Sequence, residues 1–399
     1  MTELDPLTLL FIDEGASDDP GPAYARLRNE CPVARTPGLS GDMGVWVSSY
    51  DDALWALKHP EIFSSSAAAI DIGQSHDLIP LQIDPPLHTR YRRFLAEWFN
   101  SRAIAPLEPE VRKLVNELLD AIVPRGECDF HEAFATPLPS TVFLAMMGLP
   151  QDDLDALLRW RDDIIRPSPD FEEAETIRAR TGAEITAYFE AQIDELRANP
   201  RPGFWSDLVN AEFEGRPLER GELLGMAFLL ILAGLDTVTA TLDCMVAHLA
   251  LHPDLRHQLV ERPELTTDAV EEMLRALTPV QLVPRLIVED ATIGGVDVKA
   301  GDHATIVLGA ANLDPATYDE PDDVDFERKR SINLAFGGGP HLCLGINLAR
   351  LELRVALEEW HRRIPEYAIP PGSVISHSPG IRQTDRLPLV WEVSGRTAR

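Results

Sequence analysis

Apolar residues recur at helical spacing through most of the chain, most cleanly in its middle and C-terminal thirds. The pattern predicts amphipathic helices over 87–99, 106–122, 154–165, 172–197, 220–251 and 268–277. A final long helix is expected over 345–363, stopping before Pro365. The N-terminal part mixes short helices, among them 51–58, with a strand candidate at 44–48. A β-rich interval follows residue 277, with short strands at 286–288, 291–293 and 305–307 around Gly294-Gly295 and Ala300-Gly301-Asp302. At about 150 residues per domain the length would allow two or three domains. No repeat and no low-complexity linker divides the chain, however, so we expect one large domain over 1–399, mainly α with a small β-rich region.

Charge removes several functions. The chain carries 36 Lys+Arg against 65 Asp+Glu, a net charge of −29, so nucleic acid and anionic membrane surfaces would repel it. At first reading the same charge disfavours an acidic protein partner. Cys31, Cys128, Cys244 and Cys343 lie far apart with no C-x-x-C pair, which excludes a zinc ribbon and offers no disulfide framework. The opening residues are acidic where a signal peptide is basic, and the longest uncharged apolar run, 223–235, is shorter than the roughly 18 residues a membrane span needs. A cytoplasmic chain with no membrane partner is expected.

The most specific segment is Phe336-Gly337-Gly338-Gly339-Pro340-His341-Leu342-Cys343-Leu344-Gly345. Its three glycines permit close approach that a Cβ would block. The cysteine stands at the start of the last helix, where exposed N–H groups favour a thiolate. One thiolate with no second Cys and no nearby His/Asp cluster suits a single axial bond to a flat metal cofactor, haem being the obvious candidate. A buried cysteine beside an ordinary turn, or a Cys nucleophile with His341 as base, remain alternatives from these residues alone. A phosphate loop is disfavoured because no Gly-Lys-Ser/Thr follows.

Three further constellations carry chemistry. Ala233-Gly234-Leu235-Asp236-Thr237 puts a carboxylate into an otherwise dry helix, which is costly unless the group has partners or a task. Glu272 and Arg275, three apart on one helical face, read alone as an ordinary ion pair. Asp84-Pro85-Pro86-Leu87-His88-Thr89-Arg90-Tyr91-Arg92-Arg93 reads alone as a helix start with a solvated basic face.

Together, in this order and at these separations, the four elements resemble the cytochrome P-450 family over nearly the whole chain. The loop matches at Phe336, Gly337, Gly339, His341, Cys343 and Gly345. The resemblance implies the P-450 fold, enclosing haem b (iron protoporphyrin IX) with Cys343 as its thiolate ligand. It implies that Phe336 packs near the sulfur, and that His88, Arg92, Arg285 and His341 bind the haem propionates. Ala233 and Gly234 would widen a groove for dioxygen, Thr237 would hydrogen-bond it, and Asp236 would relay protons from solvent. Glu272, Arg275 and Arg328 would form a structural charge network.

The chain has no dinucleotide fingerprint and no Cys₄ spacing, so electrons must come from a separate protein. The resemblance implies a small acidic 2Fe-2S ferredoxin with its reductase. A local basic face built from Arg90, Arg93, Lys329, Arg330 and Arg350 would meet it, which reverses the first reading of the charge. Within the family the likeness is nearest to camphor-type hydroxylases, through Ile79-Pro80, Leu235-Asp236-Thr237-Val238, Val324-Asp325-Phe326 and Leu387-Pro388-Leu389-Val390-Trp391. That implies a compact apolar, terpenoid-like substrate, for which His76, Leu78, Leu229, Leu232, Val283 and Ile381 are the candidate contacts. For His76 an exposed loop position is the competing reading. The expected activity is insertion of one oxygen atom of O₂ into a C–H bond. A peroxide-driven peroxygenase, a haem sensor and a haem-free Cys-nucleophile enzyme are the alternatives.

Overall fold

A computed structural model describes residues 5–6, 8–12, 15–37, 43–69, 72–166, 170–329 and 332–393. Its principal helices are α1 (Tyr50–Lys58), α2 (Leu87–Phe99), α3 (Glu108–Ile122), α4 (Pro137–Met147), α5 (Leu154–Ile165) and α6 (Phe171–Ala198). They continue with α7 (Arg220–Leu235), α8 (Thr237–Leu251), α9 (Thr266–Leu277) and α10 (Ile346–Arg363). Most follow the predicted bounds to within two residues. Helix α4 was not anticipated; Pro137 and Pro139 fall in its first turn, where a missing N–H costs nothing.

Amphipathic spacing explains the outer helices. On α3 the residues Val111, Val115, Leu119 and Ile122 form one buried stripe that packs against α10. Helices α7 and α8 are different, because they are apolar on every side and run through the core. By length and composition the stretch Arg220–Leu251 could cross a membrane, yet 67% of its most apolar window is buried inside the protein. It is not one continuous helix, as its periodicity had suggested. It breaks at Asp236, whose φ of −123° and ψ of −40° leave the helical region. Beside the break the Thr237 hydroxyl donates to the Ala233 carbonyl at 3.0 Å, a back-bond that bends helices.

The sheet comprises β1 (Val33–Pro37), β2 (Met43–Val47), β3 (Phe63–Ser64), β4 (Val283–Ile287) and β5 (His303–Ile306), in the order β1-β2-β5-β4-β3. Strand β5 runs parallel to β2 and antiparallel to β4, so the N-terminal region and the late β-rich interval share one sheet. Pairing also settles the bounds of β4 and β5, each of which starts two or three residues before its predicted position. Strand β1, absent from the sequence expectation, is held by its antiparallel register with β2.

Candidate active site

The segment from Phe336 to Gly345 forms a tight hairpin leading into α10. Gly337 N–H donates to Leu334 O at 2.8 Å, and Cys343 N–H donates to Phe336 O at 2.9 Å. Gly339 has φ +63°, and a Cβ there would stand 2.1 Å from the Leu57 carbonyl oxygen, so α1 closes the loop from behind. The Arg350 guanidinium lies 5.3 Å from the Phe336 ring centroid and pairs with Glu271 at 2.6 and 2.8 Å. Burial pushes the Cys343 thiol up, while the Gly345 N–H, Arg92 and Arg350 pull it down. The expected stabilisation of a thiolate by the helix start is therefore present but outweighed by desolvation in the protein alone.

Around this loop lies a cluster of positive and neutral donors. His88 on α2 is 1% exposed, and its ring centroid is 4.1 Å from that of His341. Both ring nitrogens of His88 and Nε2 of His341 are buried without a hydrogen-bond partner. Arg285, buried on β4, donates to the Pro284 carbonyl at 2.7 Å, and Arg92 donates to the Leu342 carbonyl. Asp84 stands 4.0 Å from His341 Nε2, but it is already bonded by the Ser64 hydroxyl and the Ser65 N–H. Burial, then nearby cations, push His88 down to about 4 and His341 down to about 3. Burial pushes Arg285 down to about 10. Buried donors without acceptors are rare, and an anionic ligand would complete these. A haem would: two propionates match the imidazoles and guanidiniums, and the cysteine hairpin presents one thiol. Among the described residues no three His, Cys, Asp or Glu side chains gather as a metal site.

The helix break is the second region the sequence singled out. Ala233 is exposed although its neighbours Ile231 and Leu235 are fully buried, and Thr237 is half-exposed, so this face of α7 borders a hollow. At Gly234 a Cβ would instead point at Phe143, meeting its ring at 2.5 Å. Its missing side chain lets α7 pack closely on α4. Asp236 is 1% exposed; its Oδ1 is 3.3 Å from Arg166 Nη2 and 3.6 Å from Arg161 Nε, and its Oδ2 has no partner. Burial raises its carboxyl, against the pull of Arg161 and Arg166. Sequence reading missed both arginines. Arg161 was findable as a lone charge in the stripe Leu157, Trp160, Ile164 that α5 buries.

Glu272 anchors the predicted network. Its Oε1 accepts from Arg275 Nη2 at 2.7 Å, Arg328 Nε at 2.9 Å and the Asp325 N–H at 3.1 Å. The two arginines then tie down the carbonyls of Asn312, Pro321, Asp323, Asp319 and Glu320.

The six substrate candidates do not form one set. Leu229, Leu232, Val283 and Ile381 are half-buried. Leu78 is 0% exposed within a packed apolar cluster, so it borders no open cavity. His76 is exposed, with its ring against Gly221 and its Nδ1 3.0 Å from the Ser75 hydroxyl. Gly221 precedes Ala233 by 12 residues, about 18 Å along a helix axis, so His76 is removed from the hollow. The basic face is also altered. Arg90 pairs with Glu214 and Arg350 with Glu271, whereas Arg93 and Lys329 are exposed and make no ion pair among the described residues. Arg330 lies outside the described residues.

Known proteins share these features. The family model "Cytochrome P450" matches residues 141–361. The chain is 35% identical to cytochrome P450 monooxygenase PikC of Streptomyces venezuelae, over 98% of this chain and 95% of that one. It is 31% identical to a steroid C26-monooxygenase of Mycolicibacterium smegmatis, over 97% of this chain and 95% of that one. The crystal structure of myxobacterial cytochrome P450 CYP267B1 in complex with myristic acid superposes with a TM-score of 0.88 at 32% identity, covering 96% of this chain and 99% of that one. The chain belongs to the cytochrome P450 family of haem-thiolate monooxygenases.

Proposed function

We propose that this monooxygenase hydroxylates a C–H bond of a compact, mainly apolar small molecule, terpenoid-like in type, using electrons from a separate 2Fe-2S ferredoxin and its reductase. The reaction places one oxygen atom of O₂ in the substrate and releases the other as water, consuming two electrons and two protons. The observation that carries this reading is the cluster of buried, unpartnered nitrogens on His88 and His341 at the hairpin that presents Cys343. The whole chain acts as one cytoplasmic domain in this reading. Long-range bonds such as Arg28 Nη1 to Ala310 O and His377 N–H to Asp18 support the single domain.

In this mechanism Cys343 would ligate the haem iron, and His88, Arg92, Arg285 and His341 would hold the propionates. Once bound, the haem supplies dioxygen activation, which the thiolate favours by donating electron density. The protein's own part is proton supply and exclusion of water. Asp236, raised by burial yet faced by two arginines, takes its proton from solvent on the side where Arg166, which stays charged, holds Asp162; Asp162 accepts from Arg166 at 3.2 Å and its side chain is 43% exposed. Thr237, at the hollow's edge, orients that proton through its hydroxyl oxygen. Leu229 and Leu232 shield the hollow from bulk water. The Asp236–Thr237 pair favours the reductase-driven reaction over a peroxygenase or a sensor, neither of which needs delivered protons.

The reduced protein with CO should show the red-shifted Soret band of thiolate-ligated haem, and Cys343→Ser should abolish it. Absence of any haem band ends this reading. A screen for the type I spectral shift with terpenoids, steroids, fatty acids and aromatics then tests the substrate. Shifts from steroids or long fatty acids alone would overturn the terpenoid assignment.

A further inference from the structure

A second polar system lies behind Asp236, and the mechanism above does not use it. Asp236 caps the start of α8, and Thr239 and Asp243, four residues apart, lie on one face of that helix. That face packs on the π-helical turn His131–Ala135: the Thr239 hydroxyl donates to Ala135 O at 3.0 Å, and Asp243 Oδ2 lies 2.7 Å from His131 Nδ1. The Asp243 side chain is 0% exposed, while that of His131 is 13% exposed, so the ring is the outer end of the pair. The residues 383 and 384 close the other side. Gln383 accepts from Arg166, the same guanidinium that meets Asp236, and the Thr384 hydroxyl faces Asp243.

Two buried atoms in this strip lack a hydrogen-bond partner, Asp236 Oδ2 and Gln383 Nε2, and Thr384 meets Asp243 beside them. One orphan is a local defect. Two around the Arg166 guanidinium, next to the Thr384–Asp243 contact, have the pattern that internal water completes. The charged neighbours are few. Asp129, itself paired with Arg386 at 3.1 Å, acts on His131 and Asp243, Arg166 acts on His131, and Arg161, Arg166, Asp162 and His131 itself act on Asp236.

We propose that His131 and Asp243 are positioning residues that feed protons to Asp236 through internal water, as a second entrance beside Arg166 and Asp162. This rests on the proton role proposed for Asp236. A proton taken from solvent by the His131 ring passes to Asp243. The Asp243 carboxyl gives a proton to a chain of internal waters running past Thr384 and Gln383, which delivers one to Asp236 Oδ2, with no electron moved; seven residues of helix, about 10 Å, are too far for a single water. The His131–Asp243 hydrogen bond and attraction raise the ring's proton affinity against the opposing effect of burial.

The test uses the haem-loaded enzyme and two readouts. Carbon-13 NMR should follow the His131 ring titration, and its midpoint should move by at least about 0.3 pH unit in Asp236→Asn, as expected for coupled sites. Dioxygen consumption driven by deazaflavin photoreduction should fall about 3- to 10-fold in His131→Gln, with a flatter profile between about pH 6 and 8 and a larger D₂O effect. Adding Asp162→Asn should slow it further. Asp243→Asn should reproduce the His131→Gln profile. A His131 midpoint indifferent to Asp236→Asn overturns the proposal. So does a His131→Gln enzyme that keeps the wild-type pH profile, even with less haem-loaded protein, because that marks a purely structural pair. No effect of Asp236→Asn itself on dioxygen consumption would instead remove the proton role of Asp236.

Discussion

Asp236 Oδ1 lies 3.3 Å from Arg166 Nη2 at the point where α7 ends and α8 begins. The contact joins a break in the core helix to the last turn of α5, and so to the surface. Asp236→Asn keeps the shape but cannot carry a proton, and turnover should fall about 100-fold or more, the usual scale of general acid–base loss. Thr237→Ala should leave electron uptake running while product gives way to peroxide. Stopped-flow oxidation of the reduced cofactor alongside peroxide assay checks both, and full coupling in Thr237→Ala removes the role of that hydroxyl.

Glu352 on α10 is 2% exposed and its Oε2 has no hydrogen-bond partner. Burial pushes its carboxyl up to about 8, from an ordinary 4.5. The folded state therefore holds a proton that the unfolded chain has lost, and stability falls as pH rises through that window. Glu352→Gln has no such proton to lose. Its unfolding midpoint in urea should change less between pH 5 and 8 than that of the wild type. Above about pH 8 the variant should be the more stable, by a difference on the order of 3 kcal/mol. Parallel pH dependence in both proteins would show that the carboxyl is solvated.

Glu272→Gln leaves Arg275 and Arg328 facing each other without their shared carboxylate. Breaking a buried ion pair from one side costs about 3–5 kcal/mol. Guanidinium unfolding should show a loss of that order, and the haem should dissociate more readily, because Arg275 also holds the Asn312 carbonyl and the Asn312 side chain accepts from the Leu334 N–H at the base of the hairpin. A variant as stable as wild type would mean the arginines find other acceptors.

The proposed ferredoxin contact moves to cations that remain available. Arg93→Glu and Lys329→Glu should raise the KM for a 2Fe-2S ferredoxin several-fold and reduce its dependence on salt. Arg90→Ala should do little, since Glu214 already neutralises that side chain. Equal effects at all three positions would point to net charge in place of a docking face.

The hairpin around Cys343 and the Asp236-Thr237 pair were legible in the chain because each is local: glycines next to a cysteine, and a carboxylate within an apolar run. His88, Arg285 and His341 were named through resemblance, and their convergence could not be read from position. Helix α2, strand β4 and the hairpin bring them together only through sheet pairing and packing. His76 and Leu78 show the opposite case, since neighbours in sequence point one to the surface and one into a sealed core.

By itself, then, the sequence determined the helical periods, the cysteine loop and the place where a carboxylate enters the apolar helix, since these depend on neighbours within a few residues. Tertiary structure alone decided which of those residues share a site. It closed α1 over Gly339, set Gly234 against Phe143, neutralised Arg90 and Arg350, and brought His131 to Asp243. Burial and charge pairing are properties of distant segments brought into contact, and no local pattern encodes which segments will meet.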